Sequence, residues 1–397
     1  MIALDFMLAT APVIVLLPVV VLLAQVLAAL ARPHGRNLPD GERPSIAVLV
    51  PAHNEAAVIA ETLALLLPQL NQADRLLVVA DNCTDETTAI ARAAIADSTL
   101  AEVIGRSDGE RRGKGYALDF GVRHLEHDPR DVVLIVDADC RVEVGAIDRL
   151  ARVCGQTGRP VQALYLMRSP AGAGLKTRIA EFAWLVKNHA RPLGFLRLGL
   201  PCQLMGTGMA FPWKLAVEMK LASANIVEDM KLGIDLALIG HPVLFCPDAL
   251  VTSLFPSADG AVKTQRTRWE HGHLTMIVQE VPRLLVAALG RGDAGLLGLA
   301  LDLMVPPLAL LTTLLLAVFA LTGLCAWLGL SALPLLLASA ALGLMLVSVL
   351  LAWHGWGRRV VSLVDLLTVP FYVLAKMPLY LKFWTRRQKE WVRTDRE

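Results

Sequence analysis

The chain has 397 residues, 55% of them hydrophobic, and a mean hydropathy of +0.53, which is more apolar than an ordinary soluble protein and places part of it in lipid. A formal net charge of +2 creates no global field, so charge points to no nucleic-acid partner and to no acidic polymer. The six cysteines, Cys83, Cys140, Cys154, Cys202, Cys246 and Cys325, form no CxxC pair and no Cys/His cluster, which argues against a zinc site and a disulfide framework.

From Phe6 to Ala31 no charged residue occurs, and a helix needs roughly 20 apolar residues to cross a bilayer core. Residues 1–31 therefore predict a membrane span. Only Asp5 precedes the run, while Arg32, Arg36 and Arg43 follow it; that layout lacks the basic leading region of a cleavable signal peptide. By the positive-inside tendency it sets the N-terminus outside and the following chain in the cytoplasm. Residues 32–44, with Pro33, Pro39 and Pro44, read as a linker.

Residues 45–273 alternate short apolar runs with helix-length amphipathic segments, the pattern of an α/β domain with a mostly parallel sheet. Three strands are predicted, at Ile46 to Val50, Leu76 to Ala80 and Val132 to Val136. They end in polar clusters: Ala52, Asn54 and Glu55; Asp81 to Asp85; and Asp137 to Asp139. Ligands of open parallel sheets bind beyond the carboxyl ends of the strands, so the three clusters converge on one crevice. No GxGxxG follows the first strand and no GxxxxGK[ST] occurs anywhere, which disfavours a dinucleotide dehydrogenase and a P-loop NTPase.

Asp137 and Asp139, two apart after an apolar strand, repel unless a cation lies between them. Mg²⁺ or Mn²⁺ shared with phosphate oxygens suits the pair, a solvated turn being the alternative. Lys114, between Gly113 and Gly115 before a helix, reads as an anion-contacting loop or as an exposed basic turn. The Gly206-Thr207-Gly208 segment permits close backbone approach of a substrate, or is a plain bulge. Glu228 and Asp229 open a helix, where acidic residues complement the dipole; the sharper reading makes Asp229 a general base. Gln265, Arg268 and Trp269 fall on one helical face, fit to stack a sugar and brace a diphosphate, with Trp269 alternatively an interface anchor.

Residues 274–295 predict a shallow amphipathic helix at the membrane surface. Residues 296–357 hold an uncharged stretch from Leu303 to Gly357, interrupted near Gly329 and Pro334, that predicts a two-helix membrane hairpin. Residues 358–397 read as an interfacial segment over Val360 to Phe383 and a basic cytoplasmic tail carrying Lys382, Arg386, Arg387, Lys389, Arg393 and Arg396.

Taken in order, Val50 to Glu55, Ala80 to Asp85, Gly113 to Gly115, the Asp137/Asp139 DxD, the Glu228-Asp229 pair and the Gln265/Arg268/Trp269 QxxRW resemble the motif set of family 2 glycosyltransferases. The resemblance runs from Ile46 to Trp269, and the flanking spans are similar to its membrane-bound branch. It implies a GT-A domain, Rossmann-like and built for nucleotide-diphospho-sugar transfer, flanked by transmembrane helices. It further implies Asp81 and Lys114 at the nucleotide, Asp137 and Asp139 on the metal, and Asp229 as the base.

The implied reaction is inverting transfer of a hexose from a UDP-sugar to a lipid-linked or polysaccharide acceptor at the cytoplasmic membrane face, in cell-envelope or exopolysaccharide biosynthesis. Membrane lipids and other subunits of an envelope polysaccharide machinery are the implied partners. Val227 stands where many members carry Thr, and the hairpin is smaller than the bundles that processive exporters resemble, although QxxRW is common among processive members. A processive synthase subunit and a non-catalytic scaffold are the alternatives; a nucleotidyltransferase would leave Asp229 and QxxRW without a role.

Overall fold

A computed structural model describes residues 2–31, 41–222, 227–255 and 259–369, with side chains over 8–31, 41–222, 227–255 and 269–369. Most of the 32–44 linker, the apolar segment beyond 369 and the basic tail lie outside the described residues.

After α1 (Ile2–Leu30), the chain forms β1 (Ile46–Ala52), α2 (Ile59–Leu66), β2 (Arg75–Asp81), α3 (Thr87–Ala94), β3 (Ala101–Arg106), α4 (Lys114–Leu125) and β4 (Val132–Ile135). Their pairing is parallel throughout, in the spatial order β3-β2-β1-β4. The reason is local. Ile46 to Val50 and Val132 to Ile135 are apolar at every position and fully buried, so both sheet faces need cover, and helical crossovers supply it. Helices α2 and α3 pack on one face, while α4 packs on the other through Ala117, Leu118 and Val122.

The second half contains β5 (Arg141–Val142), α5 (Ala146–Thr157), β6 (Val161–Arg168), α6 (Leu175–Leu185), a π-helical turn (Val186–Ala190) and α7 (Arg191–Arg197). It continues with β7 (Met209–Pro212), α8 (Trp213–Glu218), α9 (Glu228–Leu238) and β8 (Leu244–Leu254). Here the sheet turns mixed. Strand β7 lies antiparallel between β4 and β6, β8 is parallel to β6, and the short β5 closes the eight-stranded sheet. The three strands expected from sequence are present, each within two residues of the expected ends, and the expectation of a mostly parallel sheet holds for the first half alone.

The chain ends its described part in α10 (Asp259–Arg291), α11 (Ala294–Met304), α12 (Leu308–Trp327), α13 (Leu333–Ala352) and α14 (Leu363–Leu367). Among the described residues, three stretches are long and apolar enough to cross a membrane: Leu8–Leu30, Leu308–Trp327 and Leu333–Gly357. They pack together with α6 around Val19, Leu22, Phe182, Leu311 and Met345. The division drawn at 273/274 falls inside α10. That helix continues because Met276, Val281, Leu284 and Ala288 keep one apolar face against α9 and α11. Residues 296–304 likewise belong to α11; Pro306 and Pro307 separate it from the hairpin, which starts at Leu308.

Candidate active site

The strand-end loops are tied to one another. Asn54, in the left-handed region at φ 55°, donates from Nδ2 to Thr84 Oγ1 at 3.0 Å and accepts from the Thr84 N–H at 2.7 Å. The Glu55 N–H donates to Thr87 Oγ1 at 2.7 Å, and His53 Nδ1 lies 2.7 Å from the Asp81 carbonyl. Asparagine is the non-glycine residue best suited to positive φ, and both strand-end turns use it, the second being Asn82 at φ 50°. Ala52, at the end of β1, offers its carbonyl to the Cys83 thiol at 3.5 Å.

Asp81 is buried at the end of β2 and paired with Arg106 at 2.5 Å, and Arg106 also reaches Asp108 at 3.1 Å and lies over the Tyr116 ring. Sequence reasoning missed Arg106. The signal was available in principle, because parallel register sets Arg106, which ends β3, directly beside Asp81, which ends β2.

At the centre of the crevice Lys114, the first residue of α4, forms an ion pair with Asp137 and donates to the Gly206 carbonyl at 2.6 Å. Burial works against the Lys114 ammonium, but Asp137, and behind it Glu228 and Asp229, raise its pKa overall. The Asp137 N–H donates to Thr207 Oγ1 at 3.0 Å. Thr207 is fully buried and its carbonyl accepts from Gln162 at 2.9 Å. It therefore acts by fixing the Asp137 backbone, not by touching a substrate as the sequence suggested. Gly208 is corrected in the same way. At φ 65°, an added Cβ there would meet Ala163 at 2.7 Å and Val251 at 3.0 Å, so it serves core packing. Gly206, at φ 95°, instead faces Asp229, whose Oδ2 lies 3.3 Å from where a Cβ would stand.

Glu228 and Asp229 open α9 at a shallow pocket that Lys114, Gly115, Met209 and Lys220 also line. Burial, then the charge of Asp229, pushes Glu228 up to about 7. Burial raises Asp229 too, against the pull of the Met230 N–H, Lys114 and Lys187. Two adjacent half-buried carboxyls, both with raised pKa, beside two lysines are placed to accept a proton.

Asp139 and Asp137 are half-buried at the end of β4. Among the described residues no three His, Cys, Asp or Glu side chains form a cluster that would enclose a metal. A cation here takes the rest of its shell from phosphate oxygens and water, which fits Mg²⁺ or Mn²⁺ and hard carboxylate donors. Trp269 packs on Trp184 with ring centroids 4.9 Å apart, and Lys187, whose charge acts on Asp229, lies over the Trp184 ring at 5.3 Å. Trp184 and Lys187 were not singled out from sequence; both sit on the α6 to π-turn segment, where nothing in the spacing marks them. The side chains of Gln265 and Arg268 lie outside the described residues, and only their place on α10 is given.

The profile described as Glycosyltransferase like family 2 matches residues 44–272. The probable glycosyltransferase YdaM of Bacillus subtilis (strain 168) is 28% identical over 265 residues, covering 62% of this chain and 60% of that protein. The poly-beta-1,6-N-acetyl-D-glucosamine synthase of Staphylococcus aureus (strain COL) is 23% identical over 247 residues, 60% of this chain and 57% of that one. The chain thus matches about three fifths of the length of these curated relatives. Among solved structures, the mannosyltransferase PcManGT from Pyrobaculum calidifontis, in complex with GDP-Man and Mn²⁺, aligns with a TM-score of 0.58 at 17% identity, over 96% of this chain and 100% of that chain. That likeness shows the GT-A architecture. A family match over more than half of the sequence, on a domain of that fold, means that the chain is a glycosyltransferase and belongs to family 2.

Proposed function

We propose that the enzyme transfers a sugar, with inversion, from a UDP-sugar to a hydroxyl of a lipid-linked or polysaccharide acceptor at the cytoplasmic face of a membrane, as a step of cell-envelope or exopolysaccharide biosynthesis. One observation carries the reading. Lys114 pairs with Asp137 and donates to the Gly206 carbonyl, and Asp229 Oδ2 lies 3.3 Å from where a Cβ on Gly206 would stand, so a phosphate-binding group and a base flank one small space.

Asp137 and Asp139 are the residues that would hold the cation; bound there, Mg²⁺ or Mn²⁺ neutralises charge on the donor diphosphate. Lys114 supports the same oxygens, and Arg268 is assigned to the leaving group. Asp229 takes the proton of the acceptor hydroxyl as its oxygen bonds to the anomeric carbon. The bond from that carbon to the diphosphate breaks, and its electron pair leaves with the phosphate. An N-terminus outside, with the first of the three spans among the described residues crossing inward, puts the catalytic domain on the cytoplasmic side. The polymer-synthase activity named for the Staphylococcus aureus relative supports a processive variant of this reading; other subunits of an envelope machinery are the proposed partners.

The test is a thermal-shift panel of UDP- and GDP-sugars with Mn²⁺, repeated with EDTA. Donor binding raises the melting temperature by mass action, so a UDP-sugar is expected to shift it only when the metal is present. A shift by GDP-sugars alone, as the ligand of PcManGT warns, overturns the uridine part; a shift indifferent to EDTA overturns the Asp137/Asp139 site.

A further inference from the structure

Asp302, on α11, is buried and collects donors from three other parts of the chain. Its Oδ1 accepts from Gln25 Nε2 at 2.7 Å and from Arg191 Nε and Nη2 at 3.2 and 2.7 Å, and its backbone carbonyl takes a further Arg191 contact at 2.6 Å. Its Oδ2 accepts from Gln203 Nε2. Gln25 belongs to α1, the first membrane-spanning stretch, and is fully buried there. The contact between α1 and α7 is intimate: a Cβ on Gly194 would meet the Gln25 carbonyl at 2.0 Å, and Arg197 donates to the carbonyls of Ala28, Ala29 and Ala31 at the end of α1.

Gln203 stands three residues before Gly206. The intervening loop is pinned on its other side by Gln162, which accepts from the Met205 N–H at 2.8 Å and donates to the Thr207 carbonyl. Gly206 is where Lys114 and Asp229 meet. A buried ion pair gives little net stability over an apolar replacement, so the Asp302–Arg191 pair alone does not account for two added amide donors. What the arrangement does supply is a fixed path from α1 through Asp302 and Gln203 to the loop at the base.

We propose that Asp302 is a positioning residue that locks the Gly206 loop to the first membrane helix, making α1 part of the catalytic frame and not merely an anchor. The inference rests on the reading of Asp137, Lys114 and Asp229 as the active site. Misplacement by about 1 Å of groups that orient a reaction costs up to about a hundredfold in rate, and losing one of these contacts should cost part of that.

The experiment uses the full chain in lipid nanodiscs. Gln203→Leu and Gln25→Leu each leave the Asp302–Arg191 pair intact. Both are expected to lower kcat about tenfold, with turnover read on the nucleotide sugar selected by the thermal-shift panel. The donor KM, the affinity for UDP with Mn²⁺ and the melting temperature should stay close to wild type. Wild-type kcat in either variant overturns the proposal, and so does a parallel fall of kcat, UDP affinity and melting temperature, which marks a structural role only. The double variant Arg191→Met/Asp302→Leu guards against misfolding, since an apolar pair replaces the buried charges; it should show the same kcat loss, and full activity overturns the proposal. Asp229→Asn is assayed beside them. Turnover retained there removes the base assignment and leaves the Gln203 comparison readable.

Discussion

On the side of the crevice proposed to hold the donor, three strand-end loops hold one another through side chains at or a few residues from the strand ends. Asn54 engages Thr84, Glu55 meets Thr87, Asp81 pairs with Arg106, and Asn82 Oδ1 accepts from the Asp108 N–H at 2.8 Å. On the side proposed to take the acceptor the parts come from distant places: Lys187 from a π-helical turn, Asp229 from a helix start, Trp269 from α10, and Gln25 and Asp302 from or near the membrane bundle. The first side is assembled by the sheet itself. The second depends on helices that the sheet does not align, and that difference sets where substitutions should act.

The largest effect is expected on the acceptor side. Asp229→Asn removes the proposed base and should lower kcat about a thousandfold, within the usual range for a lost general base, while UDP with Mn²⁺ binds as before because Lys114, Asp137 and Asp139 are untouched. Calorimetric titration with UDP and a turnover assay together decide it. Equal losses of binding and turnover would erase the division between the two sides.

That division also explains what could be read in advance. Ile46 to Val50 and Val132 to Ile135 are buried on both faces, and such runs announce parallel strands whose ends carry ligands. Asp81, Lys114 and Asp137 were therefore identifiable, and the structure joins the last two directly. The acceptor-side contacts were not legible, because Gln25 and Asp302 lie 277 positions apart and meet only through helix packing. Gln25 reads in sequence as a tolerated polar residue in an apolar span. Thr207 and Gly208 were read as ligand contacts because a glycine-rich turn looks alike whether its freedom serves a substrate or the core. Only the atoms that an added Cβ would meet separate the two.

Gly206 and Gly208 sharpen the comparison at an intermediate scale. Both hold positive φ, so alanine strains both backbones by about 1 kcal/mol. Gly208→Ala also forces a Cβ against Ala163 and Val251, adding about 1–3 kcal/mol of overpacking. It should lower the melting temperature more than Gly206→Ala does. Gly206→Ala has open space except for Asp229 Oδ2, so its larger consequence should be in kcat. Melting curves and turnover for the two variants should rank in opposite orders.

The smallest effect is a displacement along the pH axis. Burial, and then the neighbouring charge of Asp229, raise Glu228 from 4.5 to about 7, and burial raises Asp229 as well. A carboxyl with a raised pKa is protonated below that value and ionised above it, and the two groups titrate as one coupled pair. The base works only when ionised, and Asp229 is raised from its ordinary value by burial, so kcat/KM should fall as falling pH protonates the pair. Stability runs the other way. The neutral form suits burial, so this contribution is fully present below the unfolded carboxyl value of about 4.5 and is lost as pH rises through about 7. Glu228→Gln separates the two trends, since the amide carries no charge to repel Asp229. The acidic limb of kcat/KM should move to lower pH with its plateau retained, and the loss of melting temperature between pH 6 and 8 should shrink. An unmoved limb would assign that titration to a group outside the pair.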